Sequence, residues 1–132
     1  MGSKPLILLD THALVWWVNG APPLSARARR AVEGAVLAAS AISVLEIATA
    51  VRRGRLRLGP PLERWVADIA LLPELRLEPV SAEIALLAGS FDESVPPDPA
   101  DRIIAATAIV LGAKLVSADR RLRRVPHLEA VW

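Results

Sequence analysis

The sequence predicts a three-layer α/β/α sandwich around a mostly parallel sheet. Leu6-Ile7-Leu8-Leu9 is a short continuous apolar run, the pattern of a strand buried on both faces. Segments with strand character alternate with helical ones along the whole chain, as βαβ units require. No repeat, low-complexity stretch or linker interrupts them. A length of 132 residues fits one domain, residues 1–132, with a single core.

The elements follow in order. Residues 1–3 precede the first one and read as dispensable. Lys4 to Leu9 is the first strand. Thr11 to Val18 is a short helix, ended by Asn19-Gly20. After the Pro22-Pro23-Leu24 loop, Ser25 caps a helix from Ala26 to Glu33, and Gly34 stops it. Ala35 to Ala39 is a second strand with a central place in the sheet. Ser43 to Arg53 is helical and ends at Gly54. Gly59-Pro60-Pro61 turns the chain, and Pro61 opens a helix to Leu72, which Pro73 stops. Leu75 to Val80 is the third strand. Ser81 caps Ala82 to Ala88. Asp98-Pro99-Ala100-Asp101 opens a strongly apolar helix to Leu111, stopped by Gly112. Lys114 to Ser117 is the fourth strand, Asp119 to Arg124 a helical turn, and Leu128 to Trp132 the last strand. Pro60-Pro61 and Pro96-Pro97 are loops within one domain.

Composition narrows the function classes. Hydrophobic content is 53% and mean hydropathy +0.38. The longest uncharged run, Thr11 to Ala26, contains Asn19, Gly20, Pro22 and Pro23, so it breaks before the ~20 apolar residues of a membrane span. Leu6 to Leu9 is too short for a signal-peptide core. A cytoplasmic protein without membrane contact is expected. The absence of Cys agrees, since it excludes disulfides and thiolate metal sites. The surplus apolar surface suits an oligomer or partner interface. Net charge is only +2, so there is no global basic field. The bases are mostly Arg and cluster at Arg27, Arg29, Arg30, at Arg52, Arg53, Arg55, Arg57 and at Arg120, Arg121, Arg123, Arg124. Such clusters either track phosphates or decorate solvated faces.

Four acids stand in unusual company. Asp10 follows the first strand and Asp119 the fourth. Glu46 lies near the start of one helix and Asp101 near the start of another. Each has a structural reading. Asp10 is placed to cap a helix. Ser43 and Glu46, like Asp98 and Asp101, have capping-box spacing, and Pro99 sits at the favoured first helical position. Asp119 lies in a first turn, where the helix dipole favours an acid. Taken together, however, all four belong at the C-terminal edge of a parallel sheet, where such sheets bind ligands. Clustered carboxylates repel and raise one another's pKa. Caps have no reason to cluster, and a hard cation supplies one. An all-oxygen set points to Mg²⁺, or Mn²⁺, rather than Zn²⁺. Such a site activates a water and stabilises the leaving oxygen of a phosphodiester. Thr11 and Ser117 are placed to hydrogen-bond the ligands.

At these residues the chain resembles PIN-domain ribonucleases, in particular the toxin component of VapBC-type toxin–antitoxin pairs. Leu8-Leu9-Asp10-Thr11-His12 looks like the family's first motif and Ser43-Val44-Leu45-Glu46-Ile47 like the second. Asp98 to Ala108 is similar to the third and is the most specific. Leu115-Val116-Ser117-Ala118-Asp119 looks like the fourth, with Ser117 where Thr is commoner. The resemblance covers nearly the full length. It implies that Asp10, Glu46, Asp101 and Asp119 hold one or two divalent cations for in-line hydrolysis of RNA. It also implies a homodimer and a small antitoxin protein, with operator DNA bound only through that antitoxin. Asp98 reads as a helix cap rather than a ligand. Arg102 reads as a partner of a neighbouring acid or a structural residue. His12 reads as packed or solvated rather than as a general base, and His127 carries no role.

The adjacent Trp16 and Trp17 cannot share a helix face. One is expected in the core and the other on a partner surface. Trp65, Val66, Ile69 and Leu72 form a helical stripe read as core, with an antitoxin groove or dimer seam as the alternative. A competing function is a catalytically weak binding module that acts in an antitoxin complex on operator DNA. A receiver-type phosphoacceptor is disfavoured, because it needs two adjacent acids after the first strand and Asp10 is followed by Thr11.

Overall fold

The computed structural model describes residues 4–132, so the reading of residues 1–3 lies outside the described residues. Five strands form one parallel sheet: β1 (Leu6–Leu9), β2 (Val36–Ser40), β3 (Leu75–Glu78), β4 (Lys114–Val116) and β5 (Ala130–Val131), in the order β3-β2-β1-β4-β5. The helices are α1 (Thr11–Asn19), α2 (Ala26–Val32), α3 (Ala41–Arg52), α4 (Leu62–Ala70), α5 (Ala82–Ser90) and α6 (Pro99–Leu111), followed by a 3₁₀ turn at Leu122–Arg124. Among the described residues no helix is long and apolar enough to cross a membrane.

The sheet is buried on both faces at its centre because β1 is apolar at every position and β2 at all but its last. Ile7 and Leu9 of β1 point to one face, with Leu14, Ala28, Ile47, Trp65 and Ile69. Leu8, between them, points to the other, with Leu115, Ile104, Ala105 and Leu122. The period of two along a strand forces this division. The second face is covered by α6, and Ala106 on the far side of α6 packs against Ile84 and Ala88 of α5. Small residues at 105, 106 and 108 let α6 approach both neighbours closely.

The strand order matters more for function than the strand count. The chain winds from β1 outward to β2 and β3, then returns to place β4 on the other side of β1. The C-terminal edge between β1 and β4 is therefore the topological switch point, where open α/β sheets form a crevice. The β2 strand is interior, paired on both sides, but β1 occupies the centre.

Several predicted boundaries shift. The third helix begins at Ala41 rather than Ser43, because Ser40 at the end of β2 caps it by accepting from the Ile42 amide at 3.1 Å. Ser43 is thus an internal, fully buried helical residue. The helix after Gly59-Pro60-Pro61 ends at Ala70, before Leu72, and α5 runs on to Ser90. The outer strands β3 and β5 are shorter than the apolar pattern suggested. Strand assignment needs a paired neighbour, and edge residues lack one.

Candidate active site

A cleft of about 460 Å³ opens at the switch point, and Asp10, Glu46, Asp98, Asp101 and Asp119 line it. Four separate segments supply these acids. Asp10 follows β1 directly, and its amide extends the ladder by donating to the Val116 carbonyl at 3.1 Å. Asp119 follows β4 on the neighbouring strand. Asp98 and Asp101 sit at the start of α6, and Glu46 in the second turn of α3.

Each acid has its own partners. Asp10 is only 5% exposed, and its Oδ1 accepts from the Ala13 amide at 2.8 Å, so it does cap α1 while lining the cleft. Burial pushes its carboxyl up, opposed by hydrogen bonds from Ser117 and Ala13, and the charge of Asp119 adds to the rise. Ser117 is fully buried, and its hydroxyl also accepts from the Asp119 amide at 3.0 Å, so it ties the two strand ends together. Glu46 accepts from the Thr11 hydroxyl, which lies 2.9 Å from the Ser43 hydroxyl. The capping-box reading of Ser43 and Glu46 is therefore overturned: Ser43 is inside the helix and Glu46 reaches across to α1. Asp98 caps α6, accepting from the Ala100 amide at 2.8 Å and the Asp101 amide at 3.4 Å.

Asp101 carries the clearest electrostatic signature. Its carboxyl is pushed up to about 6, first by burial and then by the charges of Asp98, Glu46 and Asp119, with Arg121 opposing. Three negative neighbours are thus close enough to disfavour its ionisation. Asp119 accepts from the Arg121 amide at 2.8 Å and lies 3.6 Å from that residue's guanidinium. Arg121 lines the same cleft. In the sequence it stands only within an Arg cluster; the turn after Asp119 folds it back, and its two-residue spacing after an acid is the local signal.

The donor set suits a hard cation, since every candidate ligand is a carboxylate oxygen and their charges crowd one another. Among the described residues, no three Asp, Glu or His side chains are drawn together closely enough to hold an ion as they stand. The side chains are engaged elsewhere, Glu46 with Thr11 and Asp119 with Arg121. The acids share a cleft without forming a closed cage.

The remaining candidates are placed as follows. Arg102 forms no ion pair with an acid among the described residues. It donates to the carbonyls of Phe91 at 2.7 Å, Pro96 at 3.0 Å, Asp92 at 3.1 Å and Val95 at 3.3 Å. It therefore fixes the loop leading into α6, which is its structural reading. His12 is exposed at the rim, with its ring centroid 5.8 Å from that of Trp16. Trp16 and Trp17 are both half-buried against the core, so neither is fully inside. Trp65 and Ile69 are core, and the Trp65 indole donates to Asn19 at 3.1 Å. His127 lies in a loop with φ 65°.

The PIN domain family model matches residues 7–128. Ribonuclease VapC22 of Mycobacterium tuberculosis is 40% identical over 129 residues, covering 96% of this chain and 98% of that protein. DNA-bound VapBC from Salmonella typhimurium superposes with a TM-score of 0.68 at 20% identity, covering 97% of this chain and 98% of that one. VapBC2 from Rickettsia felis, bound to a DNA fragment from its promoter, gives 0.67 at 20% identity, covering 96% and 97%. At that identity the two structures speak for the fold alone.

Proposed function

The chain belongs to the PIN-domain family, and from that premise we propose that it is a divalent-metal-dependent endoribonuclease toxin of a VapBC-type pair. One observation carries the reading. Carboxylates from four separate segments line a single cleft at the switch point, where burial and then their charges push Asp101 up to about 6. Shifted carboxyls gathered in one cleft are the arrangement found at functional sites. The similarity to Ribonuclease VapC22 over nearly the whole length supports the same substrate class.

In this reading Asp10, Glu46, Asp101 and Asp119 would hold Mg²⁺ or Mn²⁺. Bound there, the cation would acidify a water and offset charge on the phosphodiester during in-line displacement. The chain's own groups do the positioning. Ser117 fixes Asp10 relative to Asp119, and Thr11 aims Glu46. Asp98 anchors the start of α6 and with it Asp101. Arg121 holds Asp119 and lines the same cleft, where its guanidinium would suit a phosphate oxygen. Arg102 keeps the loop before α6 in place.

We also read the chain as one nuclease domain, which is supported by all five strands joining one sheet. The further proposals are a cytoplasmic homodimer, a cognate antitoxin that neutralises it, and operator DNA reached only through that antitoxin. Exposed Leu71 and Leu86 offer apolar surface for such contacts.

The test is cleavage of RNA by the purified chain with Mg²⁺ or Mn²⁺. Asp10→Asn and Asp101→Asn are expected to lose cleavage by at least about a hundredfold while folding normally. Full activity in either variant, or in excess EDTA, would sink the reading. The loosely set acids favour one alternative, a binding module with weak catalysis. It predicts antitoxin binding with no cleavage across a broad metal screen.

A further inference from the structure

A second, larger groove of about 670 Å³ adjoins the acidic cleft. The two share Thr11, His12, Trp16, Glu46 and Asp98, so they meet along one wall. Away from that wall the groove follows α3, past Leu45, which is 60% exposed, to Arg53 and Arg55. Its character changes along its length. The shared end is acidic, the middle is apolar, and the far end is cationic.

Three features point to the occupant. Both Arg53 and Arg55 are exposed, and among the described residues neither is ion-paired with an acid. They are therefore available to an anion. At the junction, the half-buried Trp16 is braced edge-on by Trp132 at 5.5 Å, and the exposed His12 ring lies tilted over it at 5.8 Å. A braced aromatic pair facing a groove is a surface on which a base can stack. Glu46 and Arg53 are two helical turns apart, about 10 Å.

We propose that single-stranded RNA runs from the acidic cleft into this groove, with one base against the His12–Trp16 pair and the phosphates beyond it on Arg53 and Arg55. The proposal rests on the ribonuclease reading above and assigns that enzyme its substrate path. It gives a use to the unpaired arginines at the end of the helix that carries Glu46.

The test measures binding separately from cleavage. In an Asp101→Asn background, a short fluorescent oligouridine is titrated at several salt concentrations. Replacing both Arg53 and Arg55 by Ala is expected to weaken binding about tenfold at low salt and to lower the salt slope by about 1.4, the value for two phosphates on single-stranded nucleic acid. Trp16→Leu is expected to weaken binding about tenfold without changing the slope, since stacking releases no counterions, and Trp16→Phe to restore most of it. If Trp16→Leu melts early, His12→Ala at an exposed position takes its place. Unchanged affinity and slope in the double Arg variant would overturn the proposal and leave the groove to a protein partner. Failure of the unmodified chain to cut RNA would sink the ribonuclease reading instead, without altering these binding results.

Discussion

Asp101 is the residue at which the site's electrostatics become measurable. Its carboxyl stands at about 6 in the folded chain against an ordinary 3.8. The folded state therefore holds the proton more tightly than the unfolded state. That contribution to stability is complete below pH 4 and is lost as pH rises through about 6. At pH 7.5 the ionised group opposes folding. Without metal, Asp101→Asn is expected to be more stable than the parent there. Because the group is only partly buried and solvent screens it, the gain is about 1 kcal/mol. The gain should vanish as pH falls to 4, where the parent is protonated too. Thermal melts in EDTA across this range read it directly, and a variant that melts earlier than the parent at pH 7.5 would refute the assignment. Mg²⁺ should raise the melting temperature of the parent more than that of the variant. The sequence exposed this acid by its motif, but not its pKa. Crowding by Glu46 and Asp119 depends on segments far away in the chain.

At the scale of the element, α6 carries the site into place. Pro99 presets its first turn, Asp98 accepts the first free amides, and Gly112 at φ 65° closes its end. All three signals are local, and the sequence displayed them with the right boundaries. Asp98→Ala is expected to cost about 1 kcal/mol, the loss of a good cap. Asp98→Asn keeps an acceptor oxygen and should cost only a few tenths of a kcal/mol. Urea midpoints of the two variants separate capping from charge, and equal losses would argue against the cap. The start of α3 was harder to read. Ser40 and Ser43 both precede an apolar run, and Ser43 has the better capping-box spacing. The helix starts earlier because Ser43 is needed inside, against Thr11. A tertiary contact overrode a local preference.

At the scale of the whole molecule, two cores share one sheet. Ile7 and Leu9 belong to one and Leu8 to the other, all within β1. Neither core can dissolve without exposing the central strand. All four Trp side chains lie with the first core. Trp fluorescence therefore reports one face and far-UV circular dichroism reports both. The two probes are expected to give coincident urea transitions, as in a two-state domain, and separated midpoints would show that the faces unfold independently. The sequence by itself determined the alternation of strand and helix, the burial of both sheet faces, and the positions of the acids just beyond strands or within helix starts. Those features follow from hydrophobic period and capping chemistry, which act within a few residues. Only the tertiary structure decided that β4 returns beside β1 and so creates the crevice. It also decided that Glu46 is held by Thr11, 35 residues away, and that Arg102 binds loop carbonyls rather than an acid. Strand order and long-range side-chain partners are set by how whole elements pack. The stretch from Leu6 to Thr11 announced a strand end with an acid. Its place at the centre of the sheet, beside β4, makes that acid part of a site as well as a cap.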